Sequence, residues 1–417
     1  MSEKPAVVGK PLPGWTEGTL DLHHINTGRG DSAFYVLPDG TTMLVDAGEM
    51  DPTDERVHSP RNAPARPDDS RPAHEWIVDY IFQVCPGISR VDYAFLTHFH
   101  SDHMGCISPL APAARKGAYR RVGLTGVGDR LVFDTVVDRD YPDYDYPLAL
   151  DDAKLVKACG TDPGFQRTCE TMANYRAFLA VHQKEHNARV EKFRVGVNDQ
   201  FVLRTNAGRY PAFEIRNICG NGAVWTGVDT VAKQQIPPIA DLALGDLPDE
   251  NVVSCGIRLR YGRFTFFNGA DIPGVPGIGA PAWKDMETPV AQVVGNVDVH
   301  VLNHHGYRDT HNAFFVQTLR PRVYIQQNWS SDQPGHDVLS RLTSRHLYPG
   351  PRDLFCTFMN EANRIVIGPA LDRAYASMYG HIVVRVATPG DSYQVITLDD
   401  TTTDRLVTGI YGPYASR

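Results

Sequence analysis

The chain has 417 residues, 42% of them hydrophobic and 22% charged, an ordinary soluble composition that allows a large buried core. Aspartate and glutamate outnumber lysine and arginine by 49 to 41, a formal charge of −8. No general field therefore draws in a polyanion, and long nucleic acid is disfavoured as a partner. No segment approaches the roughly 18 consecutive apolar residues of a membrane span, so no membrane partner is expected.

The opening MSEKPAVVGKPLPGW has no apolar run of signal-peptide length. Leu20 to Ile25 is extended in character, the turn NTGRGDS separates it from AFYVL, and PDGT turns the chain into MLVDAG, which together predict short antiparallel strands. The spacing of Trp76, Ile77, Tyr80, Ile81 and Val84 predicts an amphipathic helix over 73–84, closed by Pro86-Gly87. The buried strand VDYAFLTH follows. From about Pro112 to Tyr210 the pattern loosens into DRDYPDYDYP, a helix-like stretch from about Gly164 to Val190, and FRVGVNDQFVL, which reads as strand. This region is expected to be a partly helical insertion. Strands then resume in FEIRNI, VVSCGIRLRY, RFTFFNGAD and VDVHVLNHHG. A helix over 313–319, the strand PRVYIQQ and a helix over 337–344 mirror the first half, and 380–400 reads as a C-terminal hairpin. With no tandem repeat and no low-complexity linker, the expectation is one domain over 1–417 carrying the insertion.

The decisive segment is VDYAFLTHFHSDHMG. An apolar strand delivers His98, His100 two residues later points to the same side of an extended chain, and Asp102 and His103 fall in the turn that follows. Three imidazoles and a carboxylate within six residues suit zinc or a similar ion, since histidine is a borderline ligand and the carboxylate adds a charged oxygen. A single histidine here would read as a solvated loop residue; an ordered cluster at a strand end does not. RFTFFNGAD places Asp271 after an apolar run, and VDVHVLNHHG does the same for His304 and His305. Alone, Asp271 would read equally well as a turn residue, but three strand ends now bear ligand-type side chains.

The pattern His98-Phe99-His100-Ser101-Asp102-His103 is the H-x-H-x-D-H signature of the metallo-β-lactamase superfamily. INTGRGDSAFYVLPDGTTMLVDAG, ENVVSCGIRLRYGRFTFFNGAD and LNHHG resemble, in order and spacing, the hydrolase domain of ComEC-type DNA-uptake proteins and the phosphocholine esterases of bacterial surfaces, over roughly 20–342. The resemblance implies an α/β fold, the αβ/βα four-layer sandwich of two mixed sheets flanked by helices. It implies two zinc ions, with Mn²⁺ or Fe²⁺ as alternatives. His98 and His100 would hold the first, Asp102, His103 and one of His304 or His305 the second, and Asp271 would bridge them. His304 is preferred as ligand, with His305 facing the substrate. Asp46 would orient a ligand histidine, and Asp31 belongs to the matching Gly30-Asp31 pair. Many members complete the first site with a histidine on an intervening strand. FEIRNICGNG has none, so water or Asn217 would complete it. His182 and His186, at i, i+4 on a helix, read as solvated or capping residues.

A bound metal brings the pKa of its water from 15.7 to about 7 and so supplies hydroxide without a protein nucleophile. No G-x-S-x-G elbow or P-loop offers another route. Asp102 or Asp271 would accept the proton of the attacking water, and His305 or His336 would donate to the oxyanion or leaving group. The first expectation is a phosphodiesterase on a small-molecule substrate, with Tyr141–Pro147 either a substrate rim or a plain loop. The second is a lactone, β-lactam or other ester or amide hydrolase, and the third a non-catalytic metal-binding or interaction protein. The seven scattered cysteines, never spaced C-x-x-C, suit free thiols in the cytoplasm.

Overall fold

Met43 and Val45 alternate with Leu44 along one strand, yet both sets are buried, so the sheet that holds them is covered on both faces. A computed structural model, describing residues 5–417, shows what covers it. Strands β1 (Leu20–His24), β2 (Ser32–Val36), β3 (Thr42–Ala47), β4 (Arg90–Phe95), β5 (Val132–Asp138) and β6 (Arg189–Lys192) lie side by side in that order. The second sheet takes β7 (Phe213–Gly220), β8 (Ala223–Trp225), β9 (Ala232–Gln234), β10 (Gly256–Tyr261), β11 (Phe264–Asn268), β12 (Val299–Val301), β13 (Val323–Gln326), β14 (Asp353–Cys356) and β15 (Tyr375–Ser377). The chain then returns to the first sheet with β16 (His381–Ala387), β17 (Ser392–Leu398) and β18 (Val407–Ala415), and β16 pairs antiparallel with β1.

Within each sheet a run of parallel strands, β3 to β6 and β11 to β15, forces crossovers, and helices supply most of them. These are α1 (Ala73–Val84), α2 (Ser101–Met104), α3 (Gly123–Arg130), α4 (Ala153–Cys159), α5 (Pro163–His186), α6 (Glu287–Val294), α7 (Ala313–Leu319) and α8 (His336–Thr343). Inward residues such as Met43, Phe95, Leu259 and Phe266 form the core between the sheets. Leu44, Ala94 and Val136 turn the other way, onto Ile77, Leu124 and Phe178 of α1, α3 and α5. Phe267 packs with Val290 and Phe315 of α6 and α7, and Tyr324 with Leu339 of α8. The order is helix, sheet, sheet, helix. No helix of the described residues is long and apolar enough to cross a membrane.

Three expectations need correction. The stretch 112–210 is not external to the core: α3, β5 and β6 lie within it, and α5 buries Tyr175 and Phe178. Its parallel strands are covered on both faces, which hides the alternation that marks an exposed sheet. FRVGVNDQFVL is not a strand; Phe193, Phe201 and Leu203 instead plug the core between the sheets from an irregular loop. The segment 380–400 forms β16 and β17, paired antiparallel, with β16 interior to the first sheet. His182 is also buried rather than solvated, its Nε2 accepting from the Phe133 amide at 3.2 Å.

Burial pushes His23 and His24 down to about 4 and His300 and His381 to about 3, so all four are neutral in the fold. Their unfolded pKa is about 6.5, so below that pH the unfolded chain takes up protons that the fold refuses, and stability falls as pH falls. Each destabilises the fold by roughly 3 kcal/mol across that window, together comparable to a whole stability of about 5–15 kcal/mol. Circular dichroism against pH should show cooperative unfolding above pH 4; an unchanged denaturation midpoint from pH 7 to 4.5 would contradict this.

Candidate metal centre

The carboxyl ends of β3, β4, β11, β12 and β13 open on one rim, where ligands gather in open α/β sheets. β4 runs through Leu96 and Thr97 into His98; His100 keeps an extended backbone ahead of α2, and Asp102 and His103 lie in that short helix. β3 ends at Asp46, which adopts a left-handed φ of 58°. After β11, Asn268 accepts from the Ala270 amide at 2.8 Å, Ala270 turns left-handed with φ 50°, and Asp271 follows. After β12, His304 and His305 are both left-handed, φ 46° and 55°. Such backbone is costly for non-glycine residues and persists where surrounding structure fixes it. Gly30 and Gly48 press on the Asp102 backbone so closely that a Cβ at either would overlap its carbonyl oxygen, which also accepts from the Asp31 amide at 2.7 Å.

One oxygen stands at the middle. Asp271 Oδ2 lies 3.2 Å from Nε2 of His103, 3.4 Å from that of His305 and 3.6 Å from that of His98. Asp102 Oδ2 is 3.1 Å from His305 Nε2, and His100 Nδ1 is 3.2 Å from His98 Nε2. Two groups result, Asp102, His103, Asp271 and His305, and His98, His100 and Asp271, with ligand atoms of each within 4.8 Å of one another.

The outer hydrogen bonds fix the tautomers. Thr97 Oγ1 donates its one proton to Asp46 Oδ2, so it accepts from His98 Nδ1 at 3.1 Å. His103 Nδ1 donates to Asp46 at 2.8 Å, and His305 Nδ1 to the Gln327 carbonyl at 3.0 Å, with Asp31 at 3.1 Å. Each ring thus presents Nε2, with its lone pair, to carboxylate oxygens. His103 Nε2 and Asp271 Oδ2 are buried and, among the described residues, have no hydrogen-bond partner. Lone pairs facing lone pairs in a buried space call for a cation. The donor set of imidazoles and carboxylates fits a divalent ion.

Without that ion, protons take its place. Burial opposes charge on His103, but Asp271, Asp46 and Asp102 outweigh it and hold its pKa well above the usual range. His305 behaves alike, burial being overcome by Asp31 and Asp271. Burial works against the Asp271 anion, yet His103, His305 and His98 depress its pKa well below the carboxylate range; Asp102 is lowered likewise against burial, by His103 and His305. Burial and the charge of His103 keep His98 neutral. Metal binding would displace protons from the same atoms.

The structure brings together His98, His100, Asp102, His103 and Asp271, with Asp46 and Asp31 behind the rings. It does not bring in His304, whose Nδ1 meets Asp309 at 2.9 Å and whose Nε2 meets Asn251 at 3.3 Å. The two left-handed residues turn His305 inward instead, so the preferred ligand of the pair is corrected to His305. Buried, with both nitrogens engaged, His305 is not placed to face substrate. His336 is 72% exposed at the start of α8, near Asp337, and does not line the cleft beside the centre. Asn217 donates its amide nitrogen to the Arg194 carbonyl and to Gln200 Oε1, both at 2.8 Å, and its side-chain oxygen is buried without a hydrogen-bond partner among the described residues. Asp143, Tyr144, Tyr146 and Pro147 line that cleft, and the Tyr144 hydroxyl donates to buried Asp138 at 2.8 Å.

Sequence reasoning missed three partners. Trp329 Nε1 donates to Asp102 Oδ2 at 3.0 Å, and Gln327 joins His305 to His24, whose Nδ1 lies 2.7 Å from its side-chain oxygen. Glu250 accepts from the Phe99 amide at 2.8 Å and is gripped by Arg139 at 2.6 and 2.8 Å. QQNW follows a parallel strand to the ligand rim, and that position was the available signal. A cleft of about 1500 Å³ opens beside the centre, with His100, Ser101 and Trp329 at its inner end.

Residues 26–164 match the Metallo-beta-lactamase superfamily. The matched stretch contains Asp31, Asp46 and the whole His98–His103 motif, and the two mixed sheets between helices are the metallo-β-lactamase fold. No curated protein matches the sequence. Among solved structures, the chain is similar to a protein of Parabacteroides distasonis ATCC 8503 whose name assigns it provisionally to the metal-dependent hydrolases. Identity is 11% and the TM-score 0.34, over 81% of this chain and 92% of that one.

Asp46 touches His103 and Thr97 but no other ligand, so Asp46→Asn should retain the fold while metal affinity drops about 10- to 100-fold. Competition against a chromogenic chelator measures this; unchanged affinity would remove Asp46 from the site.

Proposed function

We propose that the chain is a metal-dependent hydrolase that cleaves a phosphodiester of small or modest size. The observation that carries this reading is Asp271 Oδ2 facing the Nε2 atoms of His98, His103 and His305. His98, His100 and Asp271 would hold one ion, and Asp102, His103, His305 and Asp271 the other. When bound, such a pair supplies activated water and offsets charge gathering on the ester. The favoured ion is Zn²⁺, with Mn²⁺ or Fe²⁺ as alternatives.

The chain's own groups position and move protons. Asp102 accepts the proton of the attacking water, and Trp329 holds its carboxylate in place. His304 stands beside the ligand turn with Asp309 behind its Nδ1. A phosphodiester is favoured over a carbon ester because the flanking segments resemble phosphodiester-cleaving relatives, while the acid-rich chain disfavours long polyanions.

Elemental analysis of protein purified without chelator should find about two metals per chain, as expected of a two-metal site. Zn²⁺-, Mn²⁺- or Fe²⁺-loaded protein should cleave a bis-aryl phosphate and ignore a chromogenic cephalosporin. Chelation should abolish turnover, and Asp102→Ala should lower it by at least about 100-fold with the circular dichroism unchanged. The reverse substrate preference would replace this reading with an ester or amide hydrolase. Inertness toward both by metal-loaded protein would point to a non-catalytic role.

A further inference from the structure

Part of the wall of the cleft is built from chain that the core does not use. Helix α4 has no buried residue, and neither do the first two turns of α5, yet Leu155 and Phe165 line the cleft from them. Leu148, Leu244 and Leu247 line it from two other stretches. None of these five side chains belongs to any of the hydrophobic cores. Apolar residues scattered singly over a surface need no explanation, but these converge from separate segments on one concavity that leads to the metal centre.

The charges along the same wall narrow what fits. Arg167 is paired with Asp51, Arg56 with Asp54 and Arg139 with Glu250, while Arg176 lies over the Tyr144 ring and Arg61 donates to Ser331. Acidic side chains outnumber basic ones along the lining. A substituent bearing further phosphates would meet net repulsion there, whereas an uncharged hydrocarbon would not. The cleft, at about 1500 Å³, also exceeds the roughly 300–1,000 Å³ of ordinary small-ligand pockets, which leaves room for a long group beyond the reacting ester.

We infer that this wall binds a long, uncharged hydrocarbon chain on the substrate, so that the ester presented to the metal centre is an alkyl phosphodiester rather than a nucleotide. The ester end rests on the hydrolase reading; the chain end rests on the wall alone. Leu155 and Phe165 would contact the chain, and α4 and the first two turns of α5, which carry them, bury nothing that the fold needs.

The test is calorimetric titration of Zn²⁺-loaded protein with n-alkyl phosphates from ethyl to dodecyl, each below its micelle concentration. Kd should fall about two- to fourfold per added methylene until the wall is covered. In the double variant Leu155→Ser, Phe165→Ser the chain-length dependence should flatten, with ethyl phosphate affinity and the thermal midpoint unchanged. Failure of dodecyl phosphate to bind, a Kd indifferent to chain length, or a dependence that survives the double substitution would overturn the inference. None of these readouts needs turnover. A protein that binds long chains but cleaves no diester loses the reaction and keeps the wall; brisk bis-aryl phosphate cleavage with flat chain dependence does the reverse.

Discussion

Asp271 Oδ2 must face three imidazole nitrogens at 3.2 to 3.6 Å, and the surroundings are arranged around that demand. The rings come from two stretches of chain, and each has its outward nitrogen tied to a different acceptor, Thr97, Asp46 or Gln327. A ring free to rotate would turn its lone pair away from the carboxylate. The outer hydrogen bonds hold the geometry before any cation arrives, which is what pre-organisation of a metal site means in energetic terms.

Such a cluster is expensive inside an apolar sandwich, because buried lone pairs and charges forfeit their hydration. The fold answers by placing it at the rim of both sheets rather than between them. The apolar layers carry the cooperativity of folding, and at the centre the backbone turns left-handed where strands end, at Asp46, Ala270, His304 and His305. Glu250 extends this logic: by accepting from the Phe99 amide while gripped by Arg139, it fixes the peptide between His98 and His100 from outside the ligand set.

The local part of the centre was legible because its information is local. Four ligand-type side chains within six residues after an apolar strand leave little to long-range packing, and Asp271 follows the same strand-end logic. His305 was not legible, because choosing between adjacent histidines depends on two successive left-handed residues, and extended-chain reasoning puts the wrong one inward. The boundaries of α1 and α7 follow from 3.6-residue spacing alone. The role of 112–210 does not, since parallel strands covered on both faces lose their alternation and loop phenylalanines in the core imitate it. Trp329 and Gln327 carry no ligand pattern of their own; only the end of β13 places them at the centre.

The pairing of β16 with β1 sets Val386 opposite Leu20. During synthesis the ribosome therefore releases the His98–His103 motif long before the strand that seals its sheet exists. Contacts so distant in sequence close late and slowly. Until then β1 offers an open edge beside half-assembled ligands, a state prone to mispairing and to capturing the wrong ion with too few donors. A complete coordination sphere thus becomes available only after the second sheet, which brings Asp271 and His305, has been made and the chain has returned to close the first.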